Sequence, residues 1–380
     1  MRNLKLLGYA AIPLAFVVHF WLGHGQGWEP AATFLLAALG VIPLAALMGE
    51  ATEHLSHRAG PTWGGLLNAT FGNAAELIIG VIALTKGLNE MVKATLTGSI
   101  LGNLLLVAGL AMVVGGWRRE RQRFNQFSAE ANAGLLALAV AAMLFPAIFH
   151  YTAEQMHDIE LAEHDHRVSV GTAVILIAVY ILGLIFTLKT HAHLFSRRPS
   201  GAAQLSPHPA TPAHGPAGGW SVKRSVILLL LASAGIGIVA ELLVGSAEAM
   251  AKTLGWNEVF VGVILLAIIG NAAEHSTAVL LARRDDMDTA MAISYQSSLQ
   301  IALFAAPVLV FASMVVSAGG PGGAGRLDLV FTPMEVVSVV LTVGIVTILG
   351  MNGETNWFEG VLLLALYAIL AIAFFHVPAG

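Results

Sequence analysis

Apolar runs of about 20 residues recur from one end of this chain to the other, and that recurrence restricts its fold more than any motif does. A run of that length crosses roughly 30 Å of hydrocarbon as a helix, where the backbone must satisfy its own hydrogen bonds. Spans are predicted near residues 4–23, 31–57, 64–86, 94–116, 128–150, 169–190, 224–250, 258–282, 289–316, 331–350 and 357–376. The expected fold class is an all-α polytopic membrane protein with eleven transmembrane helices. Only 11% of the 380 residues are charged, against 57% hydrophobic, whereas soluble domains carry about 25% charged residues. The first run follows Arg2 and Lys5 as a secretory signal would, but it is long and no small-x-small cleavage site separates it from the next, so it reads as a retained helix. A net charge of −4 suggests no nucleic-acid partner, and the absence of Cys removes disulfides, thiolate metal sites and cysteine nucleophiles.

Basic residues orient the helices. Arg2, Lys5, Arg58, the group Arg118, Arg119, Arg121 and Arg123, the group Lys189, Arg197, Arg198, Lys223 and Arg224, and the pair Arg283 and Arg284 share one side. Only Lys86, Lys93, Arg167, Lys252 and Arg326 lie on the other. The richer side is cytoplasmic by the positive-inside rule, which puts the amino terminus in the cytoplasm and the carboxyl terminus outside a multi-pass cell-membrane protein. Between the sixth and seventh spans, Pro199, Pro207, Pro209, Pro212 and Pro216 sit among Gly and Ala, a composition that builds no core. The expected organisation is therefore an N-terminal helix (1–30), a first five-helix repeat (31–195), a cytoplasmic linker (196–222) and a second five-helix repeat (223–380). His208 and His214 read as solvated linker residues.

Gly72-Asn73-Ala74-Ala75-Glu76 recurs letter for letter as Gly270-Asn271-Ala272-Ala273-Glu274. The same offset of 198 residues carries Ser99 onto Ser297 and Leu101 onto Leu299, so the halves are an internal repeat. Five spans per half is an odd number. The second copy enters the membrane from the opposite side, as in transporters whose site lies at the midplane between inverted repeats.

The chemistry follows from the repeated phrase. An ionisable residue within an apolar span is costly and needs a reason. Asn73 shares a helix face with Glu76, and Asn271 with Glu274, because each pair is three residues apart. Gly72 and Gly270 weaken the helix just before them and free carbonyls toward a cavity. Carboxylates, amides and carbonyls are hard oxygen donors, which suit Ca2+ better than Zn2+. Two facing carboxylates in a low dielectric take up protons when no cation neutralises them. Ca2+ and H+ then compete for one pair, which is how an antiporter couples them.

The stretches GGLLNATFGNAAELIIGVIAL and LLAIIGNAAEHSTAVLLARRDDMDTAMAISYQSSLQIALF resemble the two signature repeats of the calcium/proton exchangers, a branch of the cation/calcium exchanger superfamily. The resemblance extends over roughly residues 31–376. It implies that Glu76 and Glu274 are the central Ca2+ and proton carriers and that Gly72 and Gly270 lend carbonyls. Asn73 and Asn271 fall at the polar positions of the same motifs. Ser297 and Gln300 resemble an accessory polar pair, with Ser99 the repeat mate of Ser297 and Asn103 the amide beside Gly102, where Gln300 would repeat. Neutral residues stand where sodium-coupled members carry further acids, which favours protons as the coupling ion. The linker departs from the pattern, since many relatives carry an acidic helix there.

Glu50, Glu53, His54 and His57 form one stripe on the second span, and Glu248 repeats Glu50 at the same offset. The resemblance places Glu53 on the ion's route, and Glu50 and Glu248 are read with it as an access path. The second and seventh spans, which carry these acids, are then the mobile helices. The run Glu154 to His166 reads as a solvated outside loop, and His275, about 100° around the helix from Glu274, as a packing residue. No HExxH occurs, His54-x-x-His57 lacks a carboxylate in the required pattern, and no Ser has a partnered His in a matched span, so an enzyme is not expected. A monovalent cation (Na+ or K+)/H+ antiporter and a passive cation channel are the alternatives; a pH gradient drives transport only in an exchanger. Ca2+ and H+ are expected as transported ions with no cofactor, the lipid bilayer is the surroundings, and a homo-oligomer is compatible with the sequence.

Overall fold

Capping residues set where the helices begin. The side chains of Asn125, Ser221, Asn257 and Asp286 each accept a hydrogen bond from a backbone N–H three residues on. Thr332 and Glu335 close a reciprocal capping box. A computed structural model describes all residues except 1, 23–26, 158, 192–219, 319–325 and 379–380, and leaves the side chains of 2–5, 61, 62 and 69 undescribed. The expected linker, with His208 and His214, lies outside the described residues apart from 220–222.

The helices are α1 (Arg2–Val17), α2 (Glu29–Phe71), α3 (Ala74–Thr85), α4 (Asn89–Gly116), α5 (Gln126–Gln155), α6 (Leu161–Thr190) and α7 (Val222–Leu254). They continue as α8 (Glu258–Gly270), α9 (Ala272–Arg283), α10 (Met287–Ser317), α11 (Pro333–Gly350) and α12 (Trp357–Phe375). Two short strands, β1 (Gln122–Arg123) and β2 (Glu354–Thr355), pair antiparallel with Gln122 opposite Thr355. Among the described residues, eight helices are long and apolar enough to cross a membrane, or nine if α8 and α9 form one bent span. The protein is nearly all helical and multi-pass.

Two predicted spans, the third and the eighth, have a different outline. The first is helical over Arg2–Val17 and Val18–Leu22, close to its predicted range. The second ends where expected, at Gly60, whose φ of 81° and ψ of 174° leave the helical region, and α2 turns back on itself there: Ser56 Oγ donates to Asn68 Oδ1, twelve residues on, at 3.0 Å. A positive φ suits glycine, and Pro61 favours an extended residue before it. The third then breaks again after Phe71, so only α3 remains beyond the motif. The eighth bends by 61° between α8 and α9. Both breaks fall at the repeated Gly-Asn step, where helix propensity is lowest.

The described residues fall into two units. One comprises the described residues within 2–95, 220–273 and 373–378. Here α2 lies along α7 and α1, and α3 packs on α7. Phe34, Met48, Ala240 and Leu243 are fully buried, and Asn257 Nδ2 ties the end of α12 down by donating to the carbonyl of Phe374 at 2.8 Å. The other comprises the described residues within 96–191 and 274–372. Within it α5 packs on α6, α10 and α11, and Ser169 Oγ accepts from the backbone N–H of Leu329 at 2.9 Å. Leu182, Leu230, Leu231, Ile369 and Ile372 are exposed on outer helix faces, the pattern expected where lipid is the solvent.

Candidate functional site

The first unit holds one copy of the motif and the start of the other. After α2 the chain leaves the helix at Asn73 (φ −101°, ψ 16°) and re-enters it at Ala74, so Glu76 lies in the first turn of α3. A carboxylate there faces the positive end of the helix dipole. Asn73 is fully buried and Glu76 is buried. At the matched position, Asn271 ends α8 with φ −94° and ψ 6°. Both asparagines occupy the sparsely populated bridge region, common at functional sites. Asn271 Nδ2 donates back to the Ala267 carbonyl at 3.0 Å and caps the end of α8.

Gly270 brings the two phrases into contact. A Cβ placed there would lie 3.7 Å from both Cγ and Oε1 of Glu76. The carboxylate of the first motif therefore lies against bare backbone of the second, and a side chain at 270 would take up that space. Gly72 keeps helical angles, with its N–H donating to the Asn68 carbonyl at 2.8 Å.

The second unit holds Glu274, half-buried near the start of α9. Ser297 Oγ on α10 donates to Glu274 Oε2 at 2.5 Å, at the short end for an O–H···O hydrogen bond. Ser99, Asn103, Ser297 and Gln300 are all buried. The accessory residues expected on α10 and α4 thus line buried faces, and Ser297 is in contact with Glu274. His275 Nε2 pairs with Asn103 Oδ1 at 3.2 Å. That contact joins His275 to one of the expected accessory positions on α4. Among the described residues, no three His, Asp or Glu side chains gather around one point.

The access-path acids are positioned less closely. Glu50 and Glu53 are half-buried on α2, and Glu53 Oε1 lies 3.7 Å from His57 Nε2. Glu248 pairs with Lys252 one turn on. His54 packs on Trp220, with ring centroids 4.7 Å apart, and the Arg224 guanidinium lies 5.0 Å from the same indole. The stripe is therefore split between ion pairing and aromatic packing.

Three features were missed by sequence reasoning. Lys86 Nζ, just past α3, contacts Glu241 Oε1 on α7 at 2.5 Å; nothing local signals a pairing 155 residues apart. Thr97 Oγ1 donates to the buried Glu335 at 3.2 Å, and here the Thr332-Pro333-Met334-Glu335 box was a readable signal. Wide π turns interrupt α4 over Gly102–Val107 and α10 over Ile301–Ala305, beside the accessory residues. Such bulges are frequent at functional sites.

The family described as sodium/calcium exchanger protein matches residues 30–189 and 224–376. The chain is 46% identical over 374 residues to the Ca2+/H+ antiporter of Synechocystis sp. (strain ATCC 27184 / PCC 6803 / Kazusa), covering 96% of this chain and 95% of that protein. It is 42% identical over 375 residues to the Ca2+/H+ antiporter ChaA of Bacillus subtilis (strain 168), covering 98% and 99%. The solved structure of native YfkE superposes with a TM-score of 0.77 at 38% identity, over 98% of this chain and all of that one. With the match running through both halves and both motifs, the chain belongs to the sodium/calcium exchanger family, among its calcium/proton exchangers.

Proposed function

We propose that this protein is a secondary active antiporter that exchanges cytosolic Ca2+ for H+ by alternating access, with the two ions competing for Glu76 and Glu274. The observation that carries the reading is the approach of the Glu76 carboxylate to Gly270, which joins one copy of the repeated phrase to the other. The 2.5 Å bond from Ser297 to Glu274 supports the same role for the second copy. Near-full-length similarity to proteins named Ca2+/H+ antiporters supports the choice of ions. Gly72, Gly270, Asn73 and Asn271 supply further oxygen donors, Ser99, Asn103, Ser297 and Gln300 the accessory polar positions, and Glu50, Glu53 and Glu248 the access path.

Each glutamate passes between a cation-bound and a protonated form, and only these neutral states cross between inward-open and outward-open arrangements. A bare carboxylate in a closed apolar interior costs too much to be a transit state. An electroneutral cycle needs two protons for each Ca2+. In this reading the eleven predicted spans form an N-terminal helix and two inverted five-helix repeats in the cell membrane, with the amino terminus cytoplasmic, and no cofactor takes part.

The test is 45Ca2+ uptake into proteoliposomes with and without an imposed pH gradient. Uptake that follows the gradient in wild type and disappears in Glu76→Gln and Glu274→Gln is the expected result. Gradient-independent uptake would identify a channel. Absence of Ca2+ flux, with Na+ or K+ moving against H+ instead, would identify a monovalent cation antiporter.

A further inference from the structure

The helix that carries Glu76 is short and held at its two ends by different means. α3 has twelve residues, about 18 Å of helix. At its start the helical hydrogen-bond ladder is interrupted by the Gly72–Asn73 break, so α2 does not rigidly fix its rotation. At its end Lys86 reaches α7 and contacts Glu241 at 2.5 Å. The chain then turns away through Gly87, at φ 74°. Gly245, one turn beyond Glu241, leaves room for the ammonium: a Cβ there would lie 3.5 Å from Lys86 Nζ.

Glu241 stands in the apolar stretch Ile236–Gly245 of α7, seventeen residues from Arg224. At 1.5 Å per residue that is roughly 25 Å from the basic end of the helix, still within the ~30 Å hydrocarbon thickness. A carboxylate at that depth needs a counter-charge, and Lys86 supplies it.

We propose that Lys86 and Glu241 form a clamp that positions α3, and with it Glu76, against α7. The proposal rests on the reading of Glu76 as an ion carrier. Lys86 is a positioning residue, since it acts on the ion through the helix it holds.

The test is the KM for Ca2+ in pH-driven 45Ca2+ uptake into proteoliposomes. Lys86→Gln and Glu241→Gln are each expected to raise the KM for Ca2+ by about tenfold, and the exchanged pair Lys86→Glu/Glu241→Lys to bring KM back toward wild type. An unchanged KM in both single variants would overturn the positioning role, as would an exchanged pair that folds and binds no better than the singles. These outcomes are separate from failure of the carrier assignment, in which Glu76→Gln itself would transport normally.

Discussion

The two copies of Gly-Asn-Ala-Ala-Glu have the same letters and different surroundings. Glu76 is buried at the head of a short helix, against the bare backbone of Gly270, with an ion pair at the helix's far end. Glu274 is half-buried, holds the hydroxyl of Ser297, and lies on a helix that ends in Arg283 and Arg284, with Arg119 Nε bound to Asp285 at 2.9 Å just beyond. A motif repeated in the sequence thus has two chemically distinct surroundings, the half-sites of the proposed ion site. One is shaped by a missing side chain and the other by a donated hydrogen bond.

The strongest break of that comparison is neutralisation. Glu76→Gln and Glu274→Gln are each expected to lower pH-driven 45Ca2+ exchange by at least about a hundredfold, since a carbonyl amide neither carries the proton nor balances the cation. If only one variant is inactive, the two copies are not equivalent carriers.

Gly270→Ala probes the first half-site alone. The added methyl fits at ordinary contact distance from Glu76, yet it occupies space beside the carboxylate. The KM for Ca2+ should rise about tenfold with expression and melting temperature near wild type. A KM equal to wild type would remove Gly270 from the ion's surroundings.

Ser297→Ala probes the second. Loss of a hydrogen bond to a charged group is worth about 1.5–3 kcal/mol, and part of it is recovered by water in a half-exposed setting. A three- to tenfold rise in KM, measured in the same vesicles, is expected. Equal effects of Gly270→Ala and Ser297→Ala on every parameter, including the pH dependence of uptake, would show the half-sites to be less distinct than their contacts imply.

The smallest effect concerns a region away from both motifs. Glu354 on β2 accepts from Arg121 and also bonds Arg123, both contacts at 3.0 Å, and these hold its carboxyl below the ordinary value, the Arg121 hydrogen bond most of all. A depressed folded value adds stability above the ordinary carboxylate range, and that stability disappears as pH falls through the folded value. Glu354→Gln should lower the melting temperature by about a degree at pH 7, with the difference closing below about pH 4. A difference that persists at acid pH would mean that packing, not charge, is what the substitution disturbs. Transport is expected to be unchanged.

Much of the fold was readable because its causes are local. Apolar run length marked most helices, since in lipid a helix is the simplest way to satisfy the backbone. The Gly-Asn step of each motif marked a weak point, and both helices break there. The expected break between the second and third spans is there too, at Gly60-Pro61, where the chain turns back and Ser56 meets Asn68. The site was readable as a set of residue types, because an acid repeated in apolar surroundings demands an explanation. Its contacts were not. Glu76 against Gly270, Ser297 on Glu274 and Lys86 on Glu241 join positions distant in the chain, and periodicity carries no information about which faces meet.

The sequence by itself determined the membrane-helical class, the family and the residue types of the half-sites, because hydropathy, backbone hydrogen bonding and a duplicated motif act within a few turns of chain. Only the tertiary structure decided that one carboxylate meets a glycine, the other a serine, and that a lysine ties α3 to α7. Those outcomes depend on how helices pack, and packing is set by all the side chains along two surfaces at once.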